Sequence, residues 1–148
     1  MFKHILLPTD GSDLAGRGVK ETIAMAKTLG AQITAVHVVR RYHVRAEEGY
    51  SMPEVSFLRE RFESEATAHA KELLESIREE ASKAGIACDT VVAKGDSPYR
   101  EIIAQAKAAR CDLIVMASHC RRGFGRLLHG SETTNVLTHS TIPVLVVH

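Results

Sequence analysis

The sequence predicts a doubly wound α/β fold, in which one five-stranded parallel sheet is sandwiched by helices. Short, continuously apolar runs alternate along the chain with longer segments of helical periodicity. This alternation is typical of a parallel sheet whose two faces are both covered. The 148 residues are 45% hydrophobic and 25% charged, which is the length and composition expected of a single globular domain spanning 1–148.

The strands are predicted from the apolar runs. The first occupies 4–8, and the second, rich in β-branched residues, occupies 33–39. Further runs predict strands at 88–93, 113–117 and 143–147. Because parallel strands are joined by right-handed crossovers, we predict a Rossmann-like strand order, 3-2-1-4-5, with the first strand central and the last at an edge. In such sheets ligands bind beyond the carboxyl ends of the strands.

The helices are predicted from apolar spacing and from capping residues. Ser12 is a good N-cap for a helix that ends before Gly30. Gly16 and Gly18 weaken the first turns of this helix. Close packing of the helix on the sheet would explain why glycine occurs at these positions. Two shorter helices are predicted at 99–108 and 131–139.

A long helix is predicted from Glu54 to Ala84, followed by Gly85. Before it, residues 40–53 are polar and irregular, a loop long enough to serve as a flap. One face of the long helix carries an apolar stripe at steps of three and four residues. The stripe consists of Leu58, Phe62, Ala66, Ala70, Leu73, Ile77 and Ala81.

Charge and cysteine usage exclude several classes of protein. The formal net charge of +1 gives no global electrostatic reason to bind nucleic acid or an anionic membrane. No apolar run approaches the length that spans a bilayer, and the N-terminal run is too short for a signal peptide. Cys88, Cys111 and Cys120 are odd in number and lack CxxC spacing, which favours a reducing compartment. We therefore expect a cytoplasmic protein.

The segment between the fourth strand and the last helix has the character of an anion site. It contains no acidic residue between Asp112 and Glu132, but it carries Arg121, Arg122 and Arg126. Gly130-Ser131 then opens a helix, whose unpaired N–H groups and dipole favour a phosphate. The alternative is that Ser131 only caps the helix and that the arginines are solvated.

This segment resembles the signature of the universal stress protein family, Gly-x-x-Gly, nine residues, then Gly-Ser/Thr. The matching positions are Ala117, Cys120, the nine residues 121–129 and Gly130-Ser131. The runs ILLPTDGS, AVHVV and STIPVLVVH also match, so the resemblance covers the whole chain. It implies a pocket for ATP or another adenine nucleotide, with Mg²⁺ as a possible companion.

The resemblance also implies which residues bind the nucleotide. In the family, the aspartate at the position of Asp10 holds the adenine or ribose side, and the backbone near Val38 contacts the base. The full predicted set is Pro8, Thr9, Asp10, Val38, Ala117, Ser118, His119, Cys120, Arg122, Gly123, His129, Gly130, Ser131, Glu132 and Thr133. For Asp10 the alternative role is an Asx turn that braces Gly11-Ser12, and the two roles are compatible.

The chain departs from the family where Ala117 and Cys120 replace both glycines of Gly-x-x-Gly. If the backbone at Cys120 needs a positive φ, its β-carbon is costly. Two function classes therefore stay open. One is a nucleotide-binding regulatory module with little or no turnover, and the other is a dimeric stress or partner-binding protein with a vestigial pocket.

Other chemistries find less support. The eight histidines are scattered and no HxxxH or CxxC spacing accompanies them, so no metal site is expected. His37 is interpreted as a satisfied, buried imidazole. Cys120, beside Arg121 and Arg122, is a candidate redox-sensitive thiol. GxGxxG after the first strand, Gly-Lys-Ser/Thr and GxSxG are all absent.

The sequence also leads to expectations about ATP hydrolysis and about oligomeric state. No catalytic residues are predicted, because no evident water-activating side chain accompanies the site; at most we expect a slow ATPase. The last strand, with Pro143 at its start, is predicted to lie at a sheet edge. Since the family commonly dimerises through this strand, the resemblance implies a homodimer. The protein client cannot be named from the sequence.

Overall fold

The structure, a computed structural model, describes residues 1–43, 49–117 and 132–147, with the backbone alone for Asp13 and Leu14. Five strands alternate with four helices in these ranges. The strands are β1 (His4–Pro8), β2 (Gln32–Val39), β3 (Cys88–Lys94), β4 (Leu113–Ala117) and β5 (Val144–Val147). The helices are α1 (Asp13–Leu29), α2 (Met52–Lys83), α3 (Pro98–Ala108) and α4 (Glu132–His139).

The strands form one parallel sheet in the order β3-β2-β1-β4-β5. The predicted fold class and strand order are therefore confirmed. β1 lies at the centre, with Leu6 beside Thr34 of β2 and Ile114 of β4. β5 pairs with β4 at one edge, where Ala117 is in register with Val147.

Local chemistry accounts for the ends of α1. The Ser12 hydroxyl accepts a hydrogen bond of 3.2 Å from the Ala15 N–H, which satisfies one of the free donors of the first turn. At the other end Gly30 adopts φ 61°, and its N–H bonds the Ala26 carbonyl. Both caps agree with the sequence prediction.

Two apolar clusters cover the two faces of the sheet. One joins α1 and α2 to the sheet through Val19, Ile23, Leu74 and Ile77. The other packs α3 and α4 on the opposite face through Ile102, Ile103, Ala106 and Val136. β1 contributes to both clusters, as expected for a central strand. Its side chains alternate: Ile5 and Leu7 belong to the first cluster and Leu6 to the second, and all three are fully buried.

The apolar stripe predicted along α2 is buried only in its C-terminal half. Of the predicted positions Ala70, Ile77 and Ala81 are buried, whereas Phe62 is 44% exposed. Leu73 is only partly buried, and the buried leucine is its neighbour Leu74, which the prediction did not include. The reason why the stripe is only half buried is length: with 32 residues the helix is about 48 Å long. The 8-residue strand β2 spans only about 26 Å, so the sheet cannot cover the whole helix.

Gly18 and Gly16 differ in the space that the structure leaves for a β-carbon. A β-carbon at Gly18 would lie 2.9 Å from the β-carbon of Ala117 and 3.5 Å from Cγ2 of Val147. Close packing of α1 on β4 therefore requires glycine at this position. At Gly16 a β-carbon would meet nothing within 4 Å, so packing on the sheet does not explain that glycine.

None of the helices in the described ranges is both long enough and apolar enough to cross a bilayer.

Candidate functional site

A cavity of about 290 Å³ opens at the carboxyl ends of the parallel strands. Loops after β1 and β2, the start of α3, the end of β4 and the start of α4 all contribute to it. Its lining consists of Pro8, Thr9, Asp10, Ser12, Ala15, Val36, His37, Val38, Arg40, Pro98, Ile102, Met116, Ala117 and Glu132. The cavity therefore lies where the strand order reverses around β1, as expected for a ligand site in this fold class.

One side of the cavity, the polar wall, consists of Thr9, Asp10, Ser12 and His37. Its centre is the turn after β1, where Oδ1 of Asp10 accepts a 2.9 Å hydrogen bond from the Ser12 N–H. Gly11 between them adopts φ +80°, a conformation that glycine tolerates without strain. The Asx turn considered for Asp10 is thus present, and the same residue lines the cavity.

The pKa of Asp10 lies below its ordinary value of 3.8. Partial burial raises the pKa of this carboxyl, but hydrogen bonds from the side chain and backbone of Ser12 lower it by more. The nearby His37 lowers the pKa further. Asp10 is therefore a carboxylate at neutral pH, able to accept hydrogen bonds from ligand hydroxyls.

His37 is held in one orientation by the backbone of the neighbouring strand. Its Nδ1 lies 2.8 Å from the Thr9 carbonyl oxygen, and because a carbonyl only accepts, Nδ1 carries the proton. Whenever the ring carries one proton only, Nε2 is then its acceptor. The imidazole is satisfied, as predicted, but it is only partly buried and lines the cavity, a position that the sequence interpretation missed.

A second part of the lining, the apolar wall, consists of Val36, Val38, Pro98, Ile102 and Met116. Val36, Ile102 and Met116 are buried members of the cluster between the sheet and α3–α4, and Val38 packs against it. Core packing therefore fixes this surface before any ligand arrives. A rigid apolar surface of this kind suits a flat, weakly polar ring system.

Glu132, at the start of α4, lies at the rim of the apolar wall. Its Oε2 accepts a 2.7 Å hydrogen bond from the backbone N–H of Tyr99. Its Oε1 lies 3.6 Å from Nη2 of Arg40, an ion pair in which both side chains are partly exposed. The carboxylate thus connects three elements that line the cavity: α4, the start of α3 and the segment after β2.

Ala117, one of the replaced motif glycines, is accommodated by the structure. Its β-carbon occupies the space left by Gly18 on α1. The methyl group therefore packs against the helix and does not prevent Ala117 from lining the cavity. Of the two departures from the family signature, the described part of the chain explains this one, while Cys120 lies outside the described residues.

The structure brings six of the predicted binding residues together around the cavity: Pro8, Thr9, Asp10, Val38, Ala117 and Glu132. Thr133 follows in α4 but is not among the lining residues. The other predicted positions, Ser118, His119, Cys120, Arg122, Gly123, His129, Gly130 and Ser131, lie outside the described residues. That any of these residues contacts a nucleotide stays a prediction.

Several lining residues were not predicted from the sequence. Arg40 follows β2 directly, and Pro98 begins the helix after β3. The rule that places ligands at the carboxyl ends of strands could have included both, since it applies equally to β2 and β3. Ile102 and Met116 gave no such signal, because their apolar side chains are indistinguishable in sequence from other core positions.

Cysteine and metal chemistry receive no support from the described part of the chain. Burial raises the pKa of the Cys88 thiol, and it raises that of Cys111 to about 11, so both are protonated at neutral pH. The candidate redox thiol, Cys120, is outside the described residues. Among the residues that are described, no three His, Cys, Asp or Glu side chains converge as metal ligands.

Comparison with known proteins identifies the family. The sequence profile of the "Universal stress protein family" matches residues 1–148. The chain belongs to this family. It is 30% identical to the universal stress protein YxiE of Bacillus subtilis, with 99% of each chain aligned. It is 28% identical to universal stress protein MJ0577 of Methanocaldococcus jannaschii, over 99% of this chain and 95% of that protein.

Solved structures show the same architecture. The structure of MJ0577 has a TM-score of 0.79 at 30% identity and aligns with 99% of this chain and 96% of its own. The universal stress protein UspA of Lactobacillus plantarum has a TM-score of 0.76 at 29% identity, over 99% and 98% of the two chains. The family resemblance stated from the sequence is thereby confirmed.

Proposed function

We propose that this universal stress protein is a regulatory module that binds ATP or another adenine nucleotide, with little or no turnover. The observation that supports this proposal best is the cavity at the carboxyl ends of the strands, whose lining combines an apolar wall with a polar wall. Such a division matches the two parts of a nucleoside, a flat base and a hydroxyl-bearing sugar. In the proposed pose the base lies on the apolar wall and the ribose beside Asp10.

The charges of the described lining favour a position for the phosphates outside it. Among the described lining residues, Asp10 and Glu132 are acidic and Arg40 is the basic side chain besides His37. Arg40 is already paired with Glu132. We therefore assign the phosphates, and any Mg²⁺ that accompanies them, to residues 118–131, where the sequence provides Arg121, Arg122 and Arg126. This segment joins two elements that line the cavity, β4 and α4.

Related structures are compatible with this ligand class. One universal stress protein structure is a complex with cAMP at 21% identity, and one from Archaeoglobus fulgidus is a complex with dAMP at 17% identity. At these identities the likeness to our chain shows the fold alone. The proposal therefore depends on this chain's own cavity and its family membership.

Calorimetric titration with ATP, ADP and AMP, together with thermal melts, tests the proposal. At least one nucleotide should release or absorb heat and raise the melting temperature. Asp10→Ala should weaken binding roughly 10- to 100-fold, because a charged hydrogen-bond acceptor is lost. Asp89→Ala, at an exposed position of β3, is the matched control. Absence of heat and of stabilisation with all three nucleotides would leave the vestigial pocket as the correct alternative.

The proposal of little turnover follows from where the two carboxylates that line the cavity lie in the proposed pose. Asp10 lies beside the ribose and Glu132 at the rim of the wall that carries the base, so neither is directed at the terminal phosphate. A general base needs a carboxylate directed at the attacking water. Phosphate release from ATP should therefore stay near the rate without protein, and a slow ATPase activity abolished by Asp10→Asn would contradict this.

A homodimer through β5 is a second proposal, supported by the exposed edge of the sheet. Leu145 in β5 is 40% exposed and Leu137 in the neighbouring helix α4 is 50% exposed. Unpaired backbone groups and apolar side chains at an edge are relieved by pairing with a second copy. Light scattering at micromolar concentration should give the mass of a dimer, and Leu145→Lys should shift it to that of a monomer. A monomeric wild-type protein would contradict the proposal.

The cellular setting follows from composition. Three cysteines without CxxC spacing favour a reducing compartment, and on this ground we propose a cytoplasmic location.

A further inference from the structure

The side chain of Glu132 is held in place by a hydrogen bond from a distant backbone N–H. The start of α3 leaves a donor free, because Pro98 has no N–H and the Ser97 side chain makes no cap hydrogen bond. The Tyr99 N–H is donated to Glu132 instead, at 2.7 Å. Since Tyr99 and Glu132 are 33 residues apart, this contact is a tertiary cap that holds one carboxylate at one position.

The fixed carboxylate retains acceptor capacity. A carboxylate has about four lone-pair sites, and the described contacts are one hydrogen bond at Oε2 and the longer ion pair at Oε1. Glu132 lines the cavity next to Pro98 and Ile102 of the apolar wall. A ring lying on that wall therefore presents one of its edges to a carboxylate that can accept but not donate.

We propose that Glu132 is the residue that selects the base of the nucleotide. Its carboxylate favours a base whose facing edge carries an N–H donor, such as the 6-amino group of adenine, and disfavours a purine without that donor. This inference rests on the proposed nucleotide binding and deepens it, because it assigns specificity to one side chain. Arg40 does not provide the selectivity; it holds Oε1 from the outer side.

The physical basis is the cost of an unmatched buried acceptor. When a base without a donor covers Glu132, the carboxylate loses water and gains no replacement hydrogen bond. Sites that hydrogen-bond one ligand group reject analogues that lack it far more strongly than sites that only match shape. We therefore expect a preference of about 10-fold or more between two ligands that differ in this donor alone.

The test compares ATP with purine riboside triphosphate, which lacks the 6-amino group, on wild-type protein and on Glu132→Gln. Wild type should bind ATP about 10-fold or more tightly. In Glu132→Gln the side-chain carbonyl oxygen can still accept the hydrogen bond from the Tyr99 N–H. The amide NH₂, which donates, then takes the place of the second carboxylate oxygen, which accepts. The ratio of the two dissociation constants should then fall to within about 3-fold. Glu79→Gln, on the exposed face of α2, should leave the ratio unchanged.

The possible outcomes separate this inference from the proposed function. If neither triphosphate binds wild type, nucleotide binding is wrong and this inference with it. If both bind wild type equally, base selection by Glu132 is wrong while nucleotide binding stands. If Glu132→Gln weakens both ligands equally and keeps their ratio, Glu132 has only a structural role and the inference is overturned.

A second measurement does not depend on the folding of the variant. On wild-type protein, N6,N6-dimethyl-ATP keeps the nitrogen of the 6-amino group but has no N–H on it. It should bind about as weakly as purine riboside triphosphate. Binding as tight as that of ATP would overturn the inference.

Discussion

The polar wall and the apolar wall of the cavity are built in different ways. The turn at the centre of the polar wall is closed by a hydrogen bond between Asp10 and Ser12, which are two positions apart in the chain. The rim of the apolar wall depends on Tyr99 and Glu132, which are 33 residues apart, and on Arg40 in the segment after β2. Local chemistry therefore determines the turn of the polar wall, although His37 of that wall comes from β2. The rim of the apolar wall exists only after the sheet, α3 and α4 have assembled. Mutations should affect the two walls differently.

The largest effect is expected behind the polar wall, at the contact between α1 and β4. Gly18→Ala would bring a methyl group within 2.9 Å of the Ala117 β-carbon, whereas Gly16→Ala meets nothing within 4 Å. Both substitutions gain similar helix propensity, so their difference isolates the clash. Gly18→Ala should be less stable than Gly16→Ala by about 1–3 kcal/mol in denaturant unfolding.

A double variant checks the cause of that difference. Ala117→Gly removes the methyl group that Gly18→Ala would contact. The two changes together should therefore cost less than the sum of the single ones. Additive free energies of unfolding would show that the contact between α1 and β4 is not the reason for glycine at position 18.

An intermediate effect is expected at the rim of the apolar wall. Glu132→Ala removes the acceptor for the Tyr99 N–H and should cost about 1 kcal/mol, the usual value of a helix cap. Arg40→Ala breaks only a 3.6 Å ion pair whose arginine side chain is 66% exposed, and it should change stability by less than about 0.5 kcal/mol. Equal losses in urea unfolding would mean that the ion pair, not the cap, holds the rim.

The smallest effect is expected at Asp10, and it disappears in acid. Because its folded-state pKa is depressed below 3.8, Asp10 stabilises the fold above the unfolded-state pKa of about 4. That contribution is lost as pH falls through the folded value. Asp10→Asn should therefore flatten the decline of the unfolding free energy below about pH 4. The same slope in both proteins would show that the turn does not depend on the charge.

The difference between the walls also explains what the sequence could predict. The strands, the caps of α1 and the turn of Asp10, Gly11 and Ser12 are local, and they were predicted. The capping box of Ser51 and Glu54 on α2 was not predicted. The partial exposure of the α2 stripe was not predicted either, since Leu58 and Phe62 belong to the same periodic pattern as Ala70 and Ile77. Periodicity shows which face is apolar, but the length of the neighbouring strands decides how much of that face is covered.

The site shows the same limit. Asp10 and Val38 were predicted from the family resemblance, and Ala117 was predicted as a residue that replaces a motif glycine. Nothing in sequence places Gly18 opposite Ala117, because that contact depends on how α1 crosses β4. The tertiary cap by Glu132 was equally hidden, since a glutamate at a helix start is common for local electrostatic reasons.

Ala117 lies where two proposed equilibria meet. It lines the cavity, and it is paired in the sheet with Val147 of β5, the strand through which we propose dimerisation. If a nucleotide alters the free energy of self-association through this pair, linkage fixes the reverse effect. The factor by which ligand strengthens the dimer equals the factor by which the dimer strengthens ligand binding. The edge of the sheet would then make affinity for a nucleotide depend on protein concentration.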